Sequence, residues 1–177
     1  MKNILVISSS PEQKDSNSEE MGIQFMKGAE AAGHKTELVK LRDYNLEYCI
    51  GCYACTSGRC FKDDGINEIM DKMRAADVIV FCTPVYFYTM SGQMKVFIDR
   101  LMGCYMQIKA DIYLFASAYD TDQKLLALTF ESLRGCTRDC FVGCEEKGAM
   151  VIGGLGPRGS LKNHPKLKEI YEMGLKA

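Results

Sequence analysis

The feature that most restricts the fold is a repeated alternation of short apolar runs with longer segments of helical periodicity. Five runs have the length and composition of β-strands, at residues 3–8, 36–40, 78–82, 112–118 and 149–152. The runs at 3–8 and 78–82 are almost continuously apolar, which is typical of strands covered on both faces. Strands that alternate with helices form a parallel sheet, because each helix returns the chain to the same end of the sheet.

Five segments carry apolar residues at helical spacing, at residues 16–32, 66–76, 94–102, 122–144 and from Pro165 onward. Ser16 and Glu19 have the spacing of a capping box at the start of the first of these helices. No repeat, linker or low-complexity stretch divides the 177 residues, a length usual for one domain. We therefore predict a single doubly wound α/β domain over residues 1–177, a five-stranded parallel sheet in a three-layer sandwich.

Charge and cysteine content restrict the class of function. The formal net charge is −1 and neither sign forms a long run, which argues against nucleic-acid and membrane-surface partners. The first apolar run is too short for a signal peptide or a membrane span, so we expect a cytoplasmic protein. A reducing compartment disfavours disulfides, so metal binding, redox chemistry or burial must explain the nine cysteines.

In a doubly wound sheet the ligand lies beyond the carboxyl ends of the strands, where the winding direction reverses. The loop after the first strand reads SSSPEQKDSNS, residues 8–18, and matches neither the dinucleotide nor the nucleoside-triphosphate glycine pattern. Its hydroxyl groups and the following helix N-terminus suit a terminal phosphate monoester. An ordinary turn with a good helix cap explains the same residues equally well.

The loops after the third and fourth strands are also unusual. Residues 83–94 read TPVYFYTMSGQM, with three consecutive aromatic residues. Such residues suit a wall for a flat aromatic ring, although they also suit core packing or a subunit contact. Residues 117–120, Ser-Ala-Tyr-Asp, are placed to hydrogen-bond the edge of the same ring.

Four cysteines are clustered at Cys49, Cys52, Cys55 and Cys60. The two-residue spacers wind the chain around one centre, which suits a cubane cluster whose irons each take one thiolate. Structural zinc sites more often pair two knuckles across a longer loop. A metal-free loop or a regulatory thiol pair is the other interpretation. In contrast, Cys136, Cys140 and Cys144 recur on one stripe of a predicted helix and are interpreted as small buried apolar residues.

The first loop resembles the GSPR-x-x-GNT/S phosphate loop of the NAD(P)H-dependent FMN reductase and iron–sulfur flavoprotein family. The segment TPVYFYTMSGQMKVFIDR is very similar to that family's isoalloxazine loop and following helix, and the resemblance continues through LRGCTRDC toward the C-terminus. It implies a flavodoxin-like fold and an FMN cofactor. It also implies a [4Fe–4S] cluster on the four cysteines, within an insertion at about 47–62.

By position, the resemblance assigns the FMN phosphate to Ser8, Ser10, Ser16, Asn17 and Ser18. It assigns the flavin ring to Pro84, Val85, Tyr86 and Phe87, with Ser117 and Tyr119 on the other edge. Three residues depart from the family pattern, which often has Gly, Arg and Gly at the positions of Ser9, Glu12 and Ser16. The acidic Glu12 removes any contact that a cation would make from its position.

The resemblance implies an electron-transfer iron–sulfur flavoprotein with NAD(P)H or ferredoxin as electron donor. The residues themselves indicate no side-chain acid, base or nucleophile. One alternative is a cluster-free NAD(P)H-dependent FMN or quinone reductase. Another is a non-enzymatic redox carrier or sensor with a structural four-cysteine metal site. Tyr86, Phe87, Tyr88 and Met90 form more apolar surface than one flavin covers, so we expect a homodimer or homotetramer.

Overall fold

The computed structural model describes all 177 residues. Its strands are β1 (Asn3–Ser8), β2 (Lys35–Lys40), β3 (Val78–Tyr86), β4 (Thr89–Met90), β5 (Asp111–Ser117) and β6 (Glu145–Ile152). Its helices are α1 (Asn17–Ala31), α2 (Ile66–Ala75), α3 (Gly92–Asp99), α4 (Gln123–Thr137) and α5 (Lys166–Leu175). Five strands are parallel in the order β2-β1-β3-β5-β6, and the short β4 pairs antiparallel with β3. This is the flavodoxin-like doubly wound order.

The winding direction reverses between β1 and β3. The chain passes from β1 to β2 on one side, and then returns to place β3 on the other side of β1. In the parallel register Ser8 lies opposite Cys82, and Pro84 lies opposite Ser117. The carboxyl ends of β1, β3 and β5 therefore meet at one edge of the sheet, and the loops that follow them are neighbours.

Two apolar cores lie on opposite faces of the sheet. The larger has 27 buried residues and includes the apolar faces of α2, α3 and α4. The smaller has 15 and includes those of α1 and α5. On β1, Leu5 and Ile7 enter the larger core while Ile4 and Val6 enter the smaller, because successive side chains of a strand point to opposite faces. This explains the continuous apolar run of β1.

Helices α1 and α5 cross at unusually close range. A Cβ atom added to Gly28 would lie 2.0 Å from the carbonyl oxygen of Tyr171, and one added to Gly174 would lie 2.1 Å from that of Phe25. Each glycine therefore lies against the backbone of the other helix. Larger residues at either position would push the two helices apart.

Most predicted elements are confirmed, and β1 has the predicted bounds. The prediction that the third strand ends at Cys82 is wrong, because β3 continues to Tyr86 through pairing with β5 and β4. The fourth helix ends at Thr137 and not near Cys144, since the N–H groups of Asp139 to Phe141 turn back onto carbonyls of the last helical turn. The chain then enters β6 at Glu145, earlier than predicted.

The early end of α4 also corrects the interpretation of the second group of cysteines. Cys136 is half-buried at the end of α4, Cys140 is exposed, and Cys144 lies outside the helix against Ile108 and Ala110. The three residues therefore do not form one buried helical stripe. None of the five helices has both the length and the apolar composition needed to cross a bilayer.

Candidate functional site

A chain of buried hydroxyl groups joins the loops after β1 and β3. The Ser91 hydroxyl donates to Ser9 Oγ at 2.8 Å, and the Ser9 hydroxyl donates to the Cys82 carbonyl oxygen at 3.3 Å. The Ser91 N–H donates to Thr83 Oγ1 at 3.0 Å. Ser9, Thr83 and Ser91 are almost completely buried. Because such bonds are expensive to break without replacement, they hold the predicted phosphate loop and flavin loop as one unit.

The first loop leads directly into the N-terminus of α1. Ser16 caps this helix, with its hydroxyl accepting from the Glu19 N–H at 3.2 Å. The N–H groups of Asn17 and Ser18 in the first turn have no acceptor within the helix. The Ser10 hydroxyl accepts from the Glu12 N–H at 3.2 Å, which leaves its own proton free to donate. These groups form a set of donors suited to a phosphate.

Glu19 forms a buried ion pair behind this loop. Arg42 donates to its two carboxylate oxygens at 2.5 and 3.1 Å, and the Ser8 hydroxyl donates at 3.0 Å. Burial raises the pKa of the Glu19 carboxyl, but the hydrogen bonds from Arg42 and Ser8 outweigh this and the net pKa is lowered. Arg42 also donates to the Ser10 carbonyl oxygen at 3.2 Å. The Glu19 charge is therefore balanced, and the carboxylate does not complete a capping box.

The loop after β6 fastens onto the first loop. The Asn17 amide donates to the Pro157 carbonyl oxygen at 3.3 Å and accepts from the Leu161 N–H at 3.1 Å. The Asn17 side chain is therefore already engaged, and its main-chain N–H is the group free for a phosphate. Arg158 lies 3.8 Å from Glu12, so this loop brings a cation close to the position where the resembled phosphate loop often has arginine.

The three aromatic residues after β3 form a tight hairpin. Phe87 and Tyr88 have φ of 49° and 62°, a left-handed backbone conformation that residues other than glycine rarely adopt. Phe87 is 99% exposed. The Tyr88 hydroxyl donates to Asp120 at 2.9 Å, and the Thr129 hydroxyl donates to the Tyr88 carbonyl oxygen at 3.0 Å. The loop after β5 and helix α4 therefore hold the hairpin in position.

The remaining predicted ring contacts lie beside this hairpin. Pro84 and Val85 are half-buried in β3 and Tyr86 is 45% exposed. Ser117 lies opposite Pro84 at the end of β5, and Tyr119 is exposed two residues further on. The structure therefore brings all the residues predicted for the ring and the phosphate to one edge of the sheet.

The four clustered cysteines share one cavity. Cys49, Cys52, Cys55 and Cys60 line it together with Phe61 and Arg100. Burial raises the pKa of the Cys55 thiol, and the other three cysteines raise it further. No group of three or more His, Cys, Asp or Glu side chains has the arrangement of a single metal-ion site. The donor set still fits a cubane, because each iron takes one thiolate and the sulfurs need not meet at one point.

Helix α2 anchors the cysteine segment. The Asn67 side chain accepts from the Cys60 N–H and donates to the Cys60 carbonyl oxygen, both at 2.8 Å. Arg74 donates to the carbonyl oxygens of Gly58 and Gly103 at 2.6 and 3.0 Å. Both contacts come from α2, so the segment is held against the domain at its C-terminal end.

A buried arginine lies at the edge of the cysteine cavity. Arg100 is 3% exposed and pairs with Asp64 through both carboxylate oxygens, at 2.9 and 3.2 Å. Burial raises the pKa of the Asp64 carboxyl, but the hydrogen bonds from Arg100 and the Glu47 N–H give a net lowering. The same guanidinium donates to Cys60 Sγ at 3.2 Å.

Sequence reasoning missed the arginines Arg42, Arg100 and Arg158 and the buried Ser9, Thr83 and Ser91. Arg42 follows the carboxyl end of β2, which reaches the same sheet edge as β1, so the strand pattern was a usable signal. Arg100 lies within the third helix predicted at 94–102, and the sequence carries no signal for its partners, which lie 36 and 40 positions away.

Comparison with known proteins agrees with this geometry. The sequence matches the family model described as NADPH-dependent FMN reductase over residues 2–124. An iron–sulfur flavoprotein of Archaeoglobus fulgidus is 44% identical over 68 residues, which are 38% of this chain and 34% of that protein. One from Methanosarcina thermophila is 36% identical over 95 residues, 53% of this chain and 49% of that protein. The chain thus spans about a third to a half of the length of these relatives.

Among solved structures, an NAD(P)H:quinone oxidoreductase from Methanothermobacter marburgensis superposes with a TM-score of 0.79 at 19% identity. The superposition covers 99% of this chain and 96% of that one. An FMN-dependent NADH-azoreductase from Bacillus anthracis, solved in complex with FMN, has a TM-score of 0.69 at 15% identity and covers 99% of both chains. These likenesses show a shared fold. With the family match over most of its length, the chain belongs to the NADPH-dependent FMN reductase family of FMN-dependent oxidoreductases.

Proposed function

We propose that this chain is an electron-transfer iron–sulfur flavoprotein. In this proposal FMN binds at the carboxyl ends of β1, β3 and β5, and Cys49, Cys52, Cys55 and Cys60 hold one [4Fe–4S] cluster. The observation that carries it is that a phosphate-sized donor loop and an aromatic hairpin are joined by buried hydrogen bonds at the switch point. The four cysteines that line one cavity support the second cofactor.

For the phosphate, we assign the donors to the hydroxyls of Ser10, Ser16 and Ser18 and to the first-turn N–H groups of α1. The positive end of the helix dipole favours the anion at the same place. We assign Ser8 and Arg42 no direct contact with the phosphate, because Ser8 binds Glu19 and Arg42 binds both Glu19 and the Ser10 carbonyl oxygen. They fix the loop and balance its acidic residue.

For the flavin ring, we assign the wall to Pro84, Val85, Tyr86 and Phe87 and the opposite edge to Ser117 and Tyr119. The aromatic side chains shield the ring from water, and the main-chain groups of the hairpin orient it. Bound FMN supplies the redox chemistry, since it accepts electrons in a pair and releases them singly. We assign no side chain as acid, base or nucleophile.

Both proposed cofactor sites border α3, because Ser91 caps its N-terminus and Arg100 follows its last residue. The eight residues of α3 span roughly 12 Å at about 1.5 Å per residue, so the residues that would hold the two cofactors lie near opposite ends of this helix. Electron transfer between the two cofactors would take place within one chain or across a contact between two copies.

The electron donor, in this proposal, is NAD(P)H or a ferredoxin-type one-electron protein, and the unit that acts is one FMN-binding domain in the cytoplasm. The name iron–sulfur flavoprotein of the two matched relatives supports the cluster. A cluster-free NAD(P)H-dependent quinone reductase is the second candidate, favoured by the likeness to the Methanothermobacter quinone oxidoreductase. A redox carrier with a structural metal site is the third.

The test is analysis of protein purified without oxygen. We expect one FMN per chain after heat release, with iron and acid-labile sulfide in the ratio of one cubane. Cys52→Ala and Cys55→Ala should lose most of the iron and keep the FMN. Cys140→Ala removes an exposed thiol outside the cavity and should retain both, so it is the matched control.

Three outcomes would contradict parts of this proposal. FAD as the released flavin would exclude the assigned phosphate site. Near-zero iron after anaerobic reconstitution, with rapid NAD(P)H-dependent quinone turnover, would leave the cluster-free reductase. Zinc in place of iron at the four cysteines would favour the carrier with a structural site.

A further inference from the structure

Arg100 is deeply buried, and one N–H group of its guanidinium has no hydrogen-bond acceptor. It is 3% exposed and lies among the residues that line the cysteine cavity. Its Nη1 donates to Asp64 and to the Glu47 carbonyl oxygen, and its Nη2 donates to Asp64 and to Cys60 Sγ. Its Nε is buried and has no hydrogen-bond partner. A buried N–H without an acceptor is destabilising, so the guanidinium keeps one donor that its protein partners do not use.

The ion pair with Asp64 does not account for the contact with sulfur. One carboxylate balances one guanidinium, and both side chains are at most 9% exposed. The 3.2 Å bond from Nη2 to Cys60 Sγ is additional to that pair. A thiol is a weak acceptor, whereas a thiolate that binds iron is a strong one. The hydrogen bond from Arg100 therefore suits an iron-bound Cys60 thiolate better than a free Cys60 thiol.

We propose that Arg100 is a positioning residue that donates to the Cys60 thiolate and raises the reduction potential of the cluster. The inference rests on the proposed function, because it requires the cluster to be present. Reduction adds one electron to the cluster and so one negative charge, with no bond made or broken. A buried positive charge and a hydrogen bond to a ligand sulfur both stabilise the more negative form.

Asp64 opposes this effect, because its carboxylate accepts from both Nη atoms of the same guanidinium. Its carboxylate partly cancels the arginine charge, so its removal should leave a larger net positive charge near Cys60. Substitutions at the two positions should therefore move the potential in opposite directions. If Arg100 and Asp64 only stabilised the fold, their substitutions would not be expected to shift the midpoint potential in opposite directions.

The experiment is an anaerobic redox titration of the cluster with dithionite, followed by electron paramagnetic resonance of the reduced form. Arg100→Gln keeps a hydrogen-bonding side chain and removes the charge. We expect its midpoint potential to be more negative than that of the wild type by about 59 mV or more. For one electron this shift corresponds to a tenfold change in the reduced-to-oxidised ratio at a given potential. Asp64→Asn should move the midpoint to more positive potential.

Arg59→Gln is the matched control, because Arg59 directly precedes Cys60 but its side chain is 58% exposed and pairs with Asp71. Solvent screens its charge, so its shift should be much smaller than that of Arg100→Gln. If Arg100→Gln retains full iron and shifts no more than Arg59→Gln, the inference is overturned. A shift of Asp64→Asn to more negative potential, or no shift, also overturns it.

Two further variants distinguish a substitution that prevents cluster binding from one that leaves the midpoint potential unchanged. If Arg100→Gln does not retain the cluster, Arg100→Lys, which keeps the charge, and Asp64→Asn decide the question. Arg100→Lys should then stay closer to the wild-type midpoint than Asp64→Asn does, and the reverse order rejects the proposal. Wild-type protein without iron and sulfide would overturn the proposed function itself, whereas a loaded wild type with an insensitive midpoint overturns only the role of Arg100.

Discussion

At the scale of single residues, charge pairs behind the loops decide what the loops can bind. Glu19 would place a negative charge at the helix end where a phosphate is proposed, but Arg42 neutralises it from a buried position. Arg42 then holds the loop carbonyl of Ser10 as well. Glu19 at this helix N-terminus is therefore compatible with a bound anion, because Arg42 already balances its charge.

The lowered pKa of Glu19 predicts a pH-dependent stability. A carboxyl with a lower pKa in the folded than in the unfolded protein binds fewer protons when folded. Its stabilising contribution is therefore complete above the unfolded value of about 4.3 and is lost as pH falls through the folded value. Glu19→Gln should lower the free energy of unfolding at neutral pH by about 3 kcal/mol, since it leaves Arg42 buried with a weaker partner.

The measurement is urea unfolding between neutral pH and about pH 3, a range set by the reference carboxyl pKa. The stability of Glu19→Gln should change less than that of the wild type over the acid range. Glu20→Gln changes the neighbouring, more exposed carboxylate and should behave as the wild type does. Identical curves for Glu19→Gln and Glu20→Gln would show that the buried pair contributes nothing measurable.

At the scale of elements, the close crossing of α1 and α5 depends on two glycines. Gly174→Ala would place a methyl group 2.1 Å from the Phe25 carbonyl oxygen, so the helices must separate. We expect the free energy of unfolding to fall by about 1–3 kcal/mol, as for other overpacked cores. The check is equilibrium unfolding in urea, with circular dichroism to follow the helices.

Gly135→Ala provides a control of opposite sign. Gly135 is also within a helix, but no atom lies within 4 Å of the Cβ that would be added. Replacing a helical glycine with alanine in open space should stabilise the protein by about 0.5–1 kcal/mol. If both substitutions stabilise the protein, the α1–α5 crossing is more tolerant than this geometry indicates.

At the scale of the whole molecule, the aromatic hairpin remains uncovered. Phe87 is 99% exposed, and Tyr86, Met102 and Met106 are also exposed large apolar residues. The left-handed conformation at Phe87 and Tyr88 costs free energy, on the order of 1–3 kcal/mol for each residue. A strained turn that presents an aromatic ring to solvent is consistent with a binding surface.

We predict that the FMN-loaded protein is a homodimer or homotetramer at micromolar concentration. Phe87→Ser should shift it toward the monomer in light scattering, because the substitution removes the most exposed aromatic side chain of the hairpin. Val142→Ser removes an exposed apolar side chain that precedes β6, at the opposite edge of the sheet, and should leave the assembly unchanged. A wild type that is monomeric with FMN bound would contradict the prediction.

The sequence by itself determined the features that local patterns encode. The apolar run of β1, the cap of α1 at Ser16 and the order of strands and helices were all predicted correctly. The motifs that resemble the family placed the predicted phosphate loop, the aromatic loop and the cysteine segment at the same sheet edge or beside it. Each of these depends on residues close together in the chain, because burial repeats at the period of the helix or strand and a cap is made by residues at the helix end.

Only the tertiary structure decided which distant side chains meet. Arg42 reaches Glu19, Asn17 reaches the loop at 157–161, and Arg100 reaches both Asp64 and Cys60. β3 continues to Tyr86 because of its register with β5 and β4. These contacts join residues that are far apart in the chain. Strand order and register bring them together, and no local pattern carries that information.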